Sequence, residues 1–177
     1  IILHNIGWDT YENLLNDIGD NPGVRVFYDD GDLEIMVESF KHGKLASVLA
    51  EIVSEIADLL DIDFIGAGGT TFKKSKKKKG FEGDATFYFR AASLVRGKDE
   101  LDMEKDPAPE LVVEVDITHP SLPKFPIFAA LKVAEIWRYG GFAVKFYRLQ
   151  SDGEYLETPE SVCLPKVKSE SVTAFLE

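Results

Sequence analysis

Residues 110–124 read ELVVEVDITHPSLPK, and the strand at the start of this stretch decides the fold. Between residues 111 and 117 every position is apolar except Glu114 and Asp116, which predicts a strand buried on both faces of a sheet. Because an unpaired buried carboxylate costs several kcal/mol, Glu114 is more typical of a functional group than of a structural one. The structural alternative is an ion pair with Lys124, and that alternative would also bring the two side chains together.

The residues before this strand predict a helix, a β-hairpin and a longer helix. The segment 8–19 predicts a short helix with Asp9 or Thr10 as its N-cap. Two alternating segments around Asp30-Gly31 predict a hairpin. Apolar residues at helical spacing predict the longest helix over 41–60, with its apolar stripe on the sheet. The residues of this stripe are Leu45, Val48, Leu49, Ile52, Ile56, Leu59 and Leu60.

Strands and helices alternate along the rest of the chain, which predicts an α/β fold with a mixed sheet flanked by helices. No repeat or linker is visible, so residues 1–177 are expected to form a single domain. The polar segment 96–109 ends in prolines and predicts an exposed connection. The other predicted strands lie at 63–69, 70–74, 84–89, 134–139, 143–150 and 153–160, and the other predicted helices at 121–131 and 169–177.

The composition sets outer limits on function. A formal net charge of −11 disfavours nonspecific binding to nucleic acid, unless metal ions bridge carboxylates to a phosphate. No stretch reaches about 18 uninterrupted apolar residues, and the start IILHNIGWDT lacks the pattern of a signal peptide. One cysteine, Cys163, excludes a disulfide within the chain and a multi-cysteine zinc site. We therefore expect a cytoplasmic protein without membrane segments, and Cys163 buried in a strand.

Three side chains form a candidate catalytic constellation. Asp84 opens the strand ATFYF, Glu114 lies inside its own strand, and Lys124 follows ten positions later in the first turn of the next predicted helix. If the two strands are neighbours, both carboxylates can bind one hard cation such as Mg²⁺, which prefers oxygen ligands. Lys124 could then orient a water molecule and stabilise charge on a phosphate. Taken alone, Asp84 is equally typical of a residue that caps the start of a strand.

Asp, then Glu in an apolar strand, then Lys is the chemical skeleton of the PD-(D/E)XK nucleases. The chain resembles the putative restriction endonuclease group of that superfamily known as the Uma-two family. Each matching segment is weak evidence alone, but their order and spacing together are specific. The segments are YDDGDLEIM (28–36), His42, GGTTFKK (68–74), GFEGDATFYF (80–89), LVRGKDELD (94–102), PELVVEVDITHPSLPKFPIFAAL (109–131) and AEIWRY (134–139).

The resemblance implies a restriction-endonuclease-like core that uses Mg²⁺ or Mn²⁺. It implies that Asp84 and Glu114 hold the metal, with the backbone carbonyl of Val115 as a further ligand. The lysine of the superfamily normally stands two residues after the glutamate, where this chain has Asp116. Lys124 matches a lysine that this family carries on the following helix instead. Asp116 would add a ligand or form an ion pair with Lys124.

Two positions depart from the family pattern. Gly83 stands where a proline usually precedes the first aspartate, and Gly43 stands where related sequences often place a glutamate. Glu51 and Glu55 are substitutes for that helix-borne acid further along the helix. His42 could contact metal or substrate as an accessory residue, although a histidine at a helix start more often caps or packs while partly exposed. His119, directly before a proline, is interpreted as a loop residue.

The lysine-rich segment KKSKKKK at 73–79 allows two interpretations. It could bind a DNA backbone, or it could form a solvated hairpin tip.

The leading functional hypothesis is a Mg²⁺-dependent endonuclease that hydrolyses phosphodiester bonds of DNA. The alternative is a catalytically inactive binding or assembly protein that retains the nuclease fold. A homodimer is expected by analogy with endonucleases that cut two strands, with an interface near AEIWRYGGFAVKFYRL at 134–149.

Overall fold

The computed structural model describes residues 1–19, 21, 23–117 and 122–176. Its helices are α1 (Trp8–Ile18), α2 (Phe40–Leu59), α3 (Ala92–Val95), α4 (Phe125–Leu131) and α5 (Ser169–Ala174). Its strands are β1 (Ile2–Leu3), β2 (Val24–Asp29), β3 (Asp32–Val37), β4 (Ile65–Gly66), β5 (Thr71–Lys74), β6 (Lys79–Glu82), β7 (Ala85–Tyr88), β8 (Leu111–Val115), β9 (Glu135–Tyr139), β10 (Val144–Leu149) and β11 (Tyr155–Thr158). No helix in these segments is long and apolar enough to cross a membrane.

The strands form two sheets, where the alternation of elements predicted one mixed sheet. The first is antiparallel with the order β1-β3-β2-β6-β5, and it contains the predicted hairpin of β2 and β3. The second has the order β11-β10-β9-β8-β7-β4, and it is mixed because β8 and β9 run parallel. The chain crosses between the sheets at Gly83 and Asp84, directly between β6 and β7. The predicted mixed α/β class is confirmed.

Alternation along β8 divides the core into two layers. Leu111, Val113 and Val115 face α2 and α5 on one side of the mixed sheet. Val112 faces the other side, where α4 and the inner face of the antiparallel sheet pack against it. Helix α1 covers the outer face of the antiparallel sheet. Glu114 has the same parity as Val112 and therefore belongs to the layer between the two sheets.

Helix α2 matches the predicted helix, but the predicted stripe is only partly correct. The apolar residues that it buries most completely are spaced by three or four positions: Ala46, Leu49, Val53 and Ala57. Leu59 and Leu60, predicted to lie on the sheet, are exposed at the end of the helix. The two small alanines allow the helix backbone to approach β7 and β8 closely, so the buried face includes them.

Helix α1 begins earlier than its predicted caps. Gly7 is the N-cap, and the backbone N–H of Tyr11 donates to the carbonyl of Gly7, so Asp9 and Thr10 lie inside the first turn. The early start places Tyr11 in the core, where its ring stacks on Tyr28 at 4.6 Å between centroids. Packing of this aromatic pair sets the helix start, and the prediction from cap preferences was wrong.

Two further predictions need correction. The connection 96–109 is largely exposed, but Met103 is buried under it and packs into the layer between the sheets. Cys163 is largely buried but lies in a loop after β11, not in a strand. Burial raises the pKa of its thiol. Its backbone N–H donates to the buried carboxylate of Glu135, which explains why the segment stays irregular beside the sheet.

Replacement of Gly80 by alanine should destabilise the fold through the Tyr11 packing. A methyl group at this position would overlap the hydroxyl of Tyr11 and lie 2.8 Å from its Cζ, while a methyl group at Gly140 meets no atom within 4 Å. We expect Gly80→Ala to lower the free energy of unfolding by about 1–3 kcal/mol in urea titrations, and Gly140→Ala to leave it nearly unchanged. Equal stability of the two variants would contradict the packing described.

Candidate active site

Antiparallel pairing of β7 with β8 brings Asp84 beside Glu114. Ala85 pairs with Val113, so Asp84, one residue before β7, lies next to the end of β8. The backbone N–H of Val115 donates to Oδ2 of Asp84 at 2.7 Å. Both carboxylates are buried. The two acids predicted from distant parts of the sequence therefore lie together at one end of the mixed sheet.

Lys124 reaches the same point from the start of α4. It is the N-cap of that helix, and its Nζ donates to Oε2 of Glu114 at 2.7 Å. The ammonium also lies 4.1 Å above the ring of Phe27, which comes from the antiparallel sheet. Helix α4 carries Pro126 in its first turn, where the missing N–H costs no helical hydrogen bond. The second oxygen of Glu114, Oε1, is buried and accepts no hydrogen bond from the described residues.

Burial controls the ionisation of the pair. Burial raises the pKa of Glu114 to about 7. The positive charge of Lys124 lowers this pKa, and the negative charge of Asp84 raises it. Burial also lowers the pKa of Lys124, but the carboxylates of Glu114, Asp84 and Asp116 outweigh it and raise that pKa above its ordinary value. Lys124 therefore stays protonated, while Glu114 is poised to exchange a proton or to accept a second cation.

His42 is part of the site and is not a partly exposed cap. Its side chain is buried, and its Nε2 lies 2.8 Å from Oδ1 of Asp84, so an ionised Asp84 accepts the hydrogen bond. The N-cap role belongs to Ser39, whose hydroxyl oxygen accepts the backbone N–H of His42. Burial lowers the pKa of His42, but the hydrogen bond and charge of Asp84, together with the charges of Glu38 and Glu114, outweigh burial and raise this pKa overall. Its place at the start of α2 was predicted, and its burial was not.

The acid near His42 is Glu38, which was not predicted from the sequence. Oε1 of Glu38 lies 2.8 Å from Nη2 of Arg25, and Nε of the same arginine lies 3.9 Å from Oδ1 of Asp84. Burial raises the pKa of Glu38 despite the nearby arginine. The sequence does contain a feature that could have pointed to Glu38, because this acid lies four residues before His42 at the junction of β3 and α2. No local pattern marks Arg25, whose position on β2 looks like that of any alternating polar residue.

Asp116 pairs with Arg138 and not with Lys124. Nε and Nη2 of Arg138 donate to Oδ2 of Asp116 at 2.9 and 2.5 Å. The parallel register of β8 and β9 sets this pair, because it places Arg138 opposite Glu114, two residues from Asp116. Of the two roles that the resemblance allows for Asp116, the ion pair with Lys124 is therefore not formed, although the charge of Asp116 still contributes to the raised pKa of Lys124.

The donor groups suit a divalent cation centred on Asp84. Ligand atoms of Glu38, His42 and Asp84 all lie within 4.8 Å of one another. On the other side of Asp84, Oε1 of Glu114 is a buried acceptor without a described partner. Two or three carboxylates with one imidazole form an oxygen-rich set, which matches Mg²⁺ or Mn²⁺ better than a soft metal.

Comparison with known proteins identifies the family of the chain. A model of the Uma2 family, described as a putative restriction endonuclease, matches residues 8–174. The chain belongs to the Uma2 family. The resemblance inferred from the sequence is confirmed. Among solved structures, the chain is similar to a putative nuclease belonging to DUF820 from Anabaena variabilis ATCC 29413. The two share 16% identity with a TM-score of 0.59, over 97% of this chain and 99% of that one, which shows a common fold. No curated protein matches the chain.

Of the two glycines that depart from the Uma2 pattern, Gly83 has a packing explanation and Gly43 has none. A methyl group at Gly83 would lie 3.0 Å from Val112 and 3.1 Å from Thr86, so this crossing between the sheets is tightly packed. A methyl group at Gly43 would lie 3.5 Å from Oε2 of Glu38, which is an ordinary van der Waals contact, so the packing leaves room for a side chain to begin at this position. The predicted substitutes are wrong, because both face solvent on the outer side of α2: Glu51 and Glu55.

The lysine-rich segment forms a hairpin tip in this Uma2 protein. Strands β5 and β6 pair around a single 3₁₀ turn at Ser75–Lys77. Four of its lysines form ion pairs with acids, which are Lys73 with Glu12, Lys76 with Glu104, Lys78 with Asp30, and Lys79 with Asp29. Much of the positive charge is therefore balanced locally. His119 lies outside the described residues, as does residue 121, where the helix now called α4 was predicted to begin.

Removal of Lys124 should destabilise the fold in a pH-dependent manner. The pKa of Glu114 is raised from 4.5 to about 7 in the fold, so the folded state binds its proton more tightly and stability falls as pH rises through this window. Without Lys124 that pKa rises further, and Glu114 would have to ionise alone at higher pH. We expect Lys124→Met to lose roughly 3–5 kcal/mol of unfolding free energy at about pH 8 and clearly less at about pH 5.

The matched control for this prediction is Lys145→Met. Lys145 pairs with Glu157 at 3.1 Å, but both side chains are more than half exposed. Its removal should change stability little at either pH, because solvent screens such a pair. Urea titrations of the wild type and both variants at the two pH values provide the measurement. An equal loss at both pH values for Lys124→Met would show that Glu114 does not depend on Lys124.

Proposed function

We propose that this Uma2 protein is a metal-dependent endonuclease that hydrolyses phosphodiester bonds of DNA with Mg²⁺ or Mn²⁺. The observation that carries the proposal is the junction of Asp84, Glu114 and Lys124 in one buried site, with Oε1 of Glu114 still lacking a described partner. The Uma2 family is described as a putative restriction endonuclease and the similar solved protein as a putative nuclease, which supports the same activity. A structural ion pair alone would not need Asp84, His42 and Glu38 beside it.

In this proposal Asp84 and Glu114 hold the metal, with the carbonyl of Val115 as a further ligand. His42 and Glu38 are accessory ligands on the other side of Asp84, since their donor atoms lie near its carboxylate. A divalent cation supplies activation of water and neutralisation of charge on the phosphate. The protein supplies an oriented Asp84, because the ring of His42 binds its Oδ1 and the N–H of Val115 binds its Oδ2.

Lys124 would position the nucleophilic water and stabilise negative charge on the phosphate. Glu114 and the ring of Phe27 hold its ammonium, so the ammonium is in position before the substrate binds. Its raised pKa keeps the positive charge at neutral pH. Asp116 accepts its hydrogen bonds from Arg138, and its role is to orient that arginine.

The working form would be a cytoplasmic homodimer that cuts both strands of DNA. Within the predicted interface segment 134–149, Trp137 is fully buried against Phe146 and offers no contact surface. Phe142, at the turn between β9 and β10, is 92% exposed and would take its place. Dimerisation would set the spacing of the two cuts, whereas each site is complete within one chain.

The first test is cleavage of DNA. Purified protein is incubated with supercoiled plasmid and with single-stranded circular DNA in Mg²⁺ or Mn²⁺. We expect cleavage by the wild type, and a loss of about a hundredfold or more in Glu114→Ala, because that variant removes both a metal ligand and the partner of Lys124. Absence of cleavage by the wild type across substrates and metals would argue for the noncatalytic binding or assembly protein instead.

The second test is metal binding without catalysis. Calorimetry should detect Mn²⁺ binding by the wild type. Asp84→Asn should weaken this binding by at least about 10-fold, because Asp84 is the acid around which the other proposed ligands lie. Glu51→Gln is the matched control, since it removes an exposed carboxylate from the same helix as His42. Unchanged Mn²⁺ binding in Asp84→Asn would place the metal elsewhere and reject the site.

A further inference from the structure

A pocket adjoins the proposed catalytic site and is larger than the metal site requires. It has a volume of about 280 Å³ and lies between the end of β8, the start of α4 and β9. Glu114 and Lys124 line one end, and Arg138 with Asp116 lines another. The catalytic mechanism proposed above uses only the first end. The function of the remaining volume is therefore open to inference from its lining.

Arg138 has the properties of a phosphate ligand. It lies opposite Glu114 in the parallel register, so the two side chains project from the same face of neighbouring strands. Its side chain is 37% exposed, compared with 9% for Lys124, so a ligand in solution can reach it. Asp116 accepts two of its N–H groups on a single oxygen. A guanidinium carries five N–H donors, and those that remain suit a phosphate oxygen.

The rest of the pocket wall is apolar. Leu122, Pro123, Phe125 and Phe128 form it. The centroid of the Phe125 ring lies 6.0 Å from Cζ of Arg138, and this ring packs edge-on against Tyr147, so the wall and the cation are adjacent. Inorganic phosphate or a metal ion would leave this wall without a contact. A ligand that uses the whole pocket combines an anionic group with an apolar, planar one.

The size of the pocket limits that ligand to a single nucleotide. Its volume of about 280 Å³ is just below the range of about 300–1,000 Å³ that is typical of pockets for drug-sized molecules. A duplex keeps its bases stacked and paired, so a base enters such a pocket only from a single strand or after it leaves the stack. The lining thus favours an unpaired nucleotide over a regular duplex segment.

We propose that this pocket is a subsite for one unstacked nucleotide adjacent to the phosphodiester bond that is cut. Arg138 binds the phosphate of this nucleotide, and the wall formed by Leu122, Pro123, Phe125 and Phe128 contacts its sugar and base. The proposal rests on the proposed nuclease function and specifies its substrate class. The preferred substrate is DNA that is single-stranded or locally unpaired at the cleavage position.

The test measures binding of labelled oligonucleotides without divalent metal, so that no cleavage occurs. Arg138→Gln is compared with Arg148→Gln, which removes the same charge from an exposed position on the neighbouring strand β10. We expect Arg138→Gln to weaken single-strand binding about 10-fold. It should also reduce the slope of log K against log salt by about 0.7, the value for one phosphate contact on a single strand. Arg148→Gln should match the wild type.

Arg138→Lys guards against misfolding, since it keeps the charge and a partner for Asp116 while it removes the forked donors. We expect this variant to melt like the wild type and to bind single-stranded DNA more weakly. Ligand-observed NMR with thymidine monophosphate, thymidine and inorganic phosphate then separates the two halves of the pocket. The monophosphate should bind more tightly than either part, and Arg138→Gln should remove that advantage.

Failure of this proposal is distinguishable from failure of the nuclease function. If the wild type cleaves DNA, but Arg138→Gln and Arg148→Gln bind alike, the subsite is rejected and the nuclease function stands. Equal binding of thymidine monophosphate and inorganic phosphate would reject the apolar part of the subsite. A preference of the wild type for continuous duplex over single-stranded DNA would also overturn the subsite proposal. A wild type that neither binds nor cleaves nucleic acid would overturn both proposals.

Discussion

The burial of Glu114 is the constraint on which the rest of the structure depends. A carboxylate inside an apolar strand requires a cation at hydrogen-bond distance, and Lys124 provides it from the start of α4. This contact joins the start of α4 to the end of β8. Phe27 lies beneath the same ammonium, so the antiparallel sheet is also positioned by the pair. The ion pair is thus the point where both sheets and α4 meet.

Around this ion pair, the acidic groups are nearly equal in number to the basic groups. Asp84 interacts with groups on two sides of the site. His42 and the backbone N–H of Val115 bind its oxygens, and its negative charge raises the pKa of Glu114. The acids of the region are Glu38, Asp84, Glu114 and Asp116, and the cationic or protonatable groups are Arg25, His42, Lys124 and Arg138. A chain with a net charge of −11 therefore presents a locally balanced site. Such balance removes much of the electrostatic objection to a polyanionic substrate.

The main elements and the candidate acids Asp84 and Glu114 were predicted from the sequence, because both leave local signals. Glu114 is visible as the one carboxylate at the centre of an apolar strand, and the hairpin is visible from Asp30-Gly31. The second sheet was not predicted, since the crossing at Gly83 depends on which distant strands pair with β6 and β7. Arg25 and the partner of Asp116 were missed for the same reason. Their roles arise from tertiary neighbours that no periodicity or spacing records.

The central claim is that Asp84, Glu114 and Lys124 form one site for a divalent cation. Crystals soaked in Mn²⁺ test it most directly, through an anomalous difference map collected near the manganese absorption edge. We expect a strong peak within bonding distance of an Asp84 oxygen, with Glu114 as a second ligand and Lys124 still within hydrogen-bond reach of Glu114. A well-ordered crystal in which manganese binds only exposed surface acids, with Asp84 and Glu114 unchanged, would contradict it.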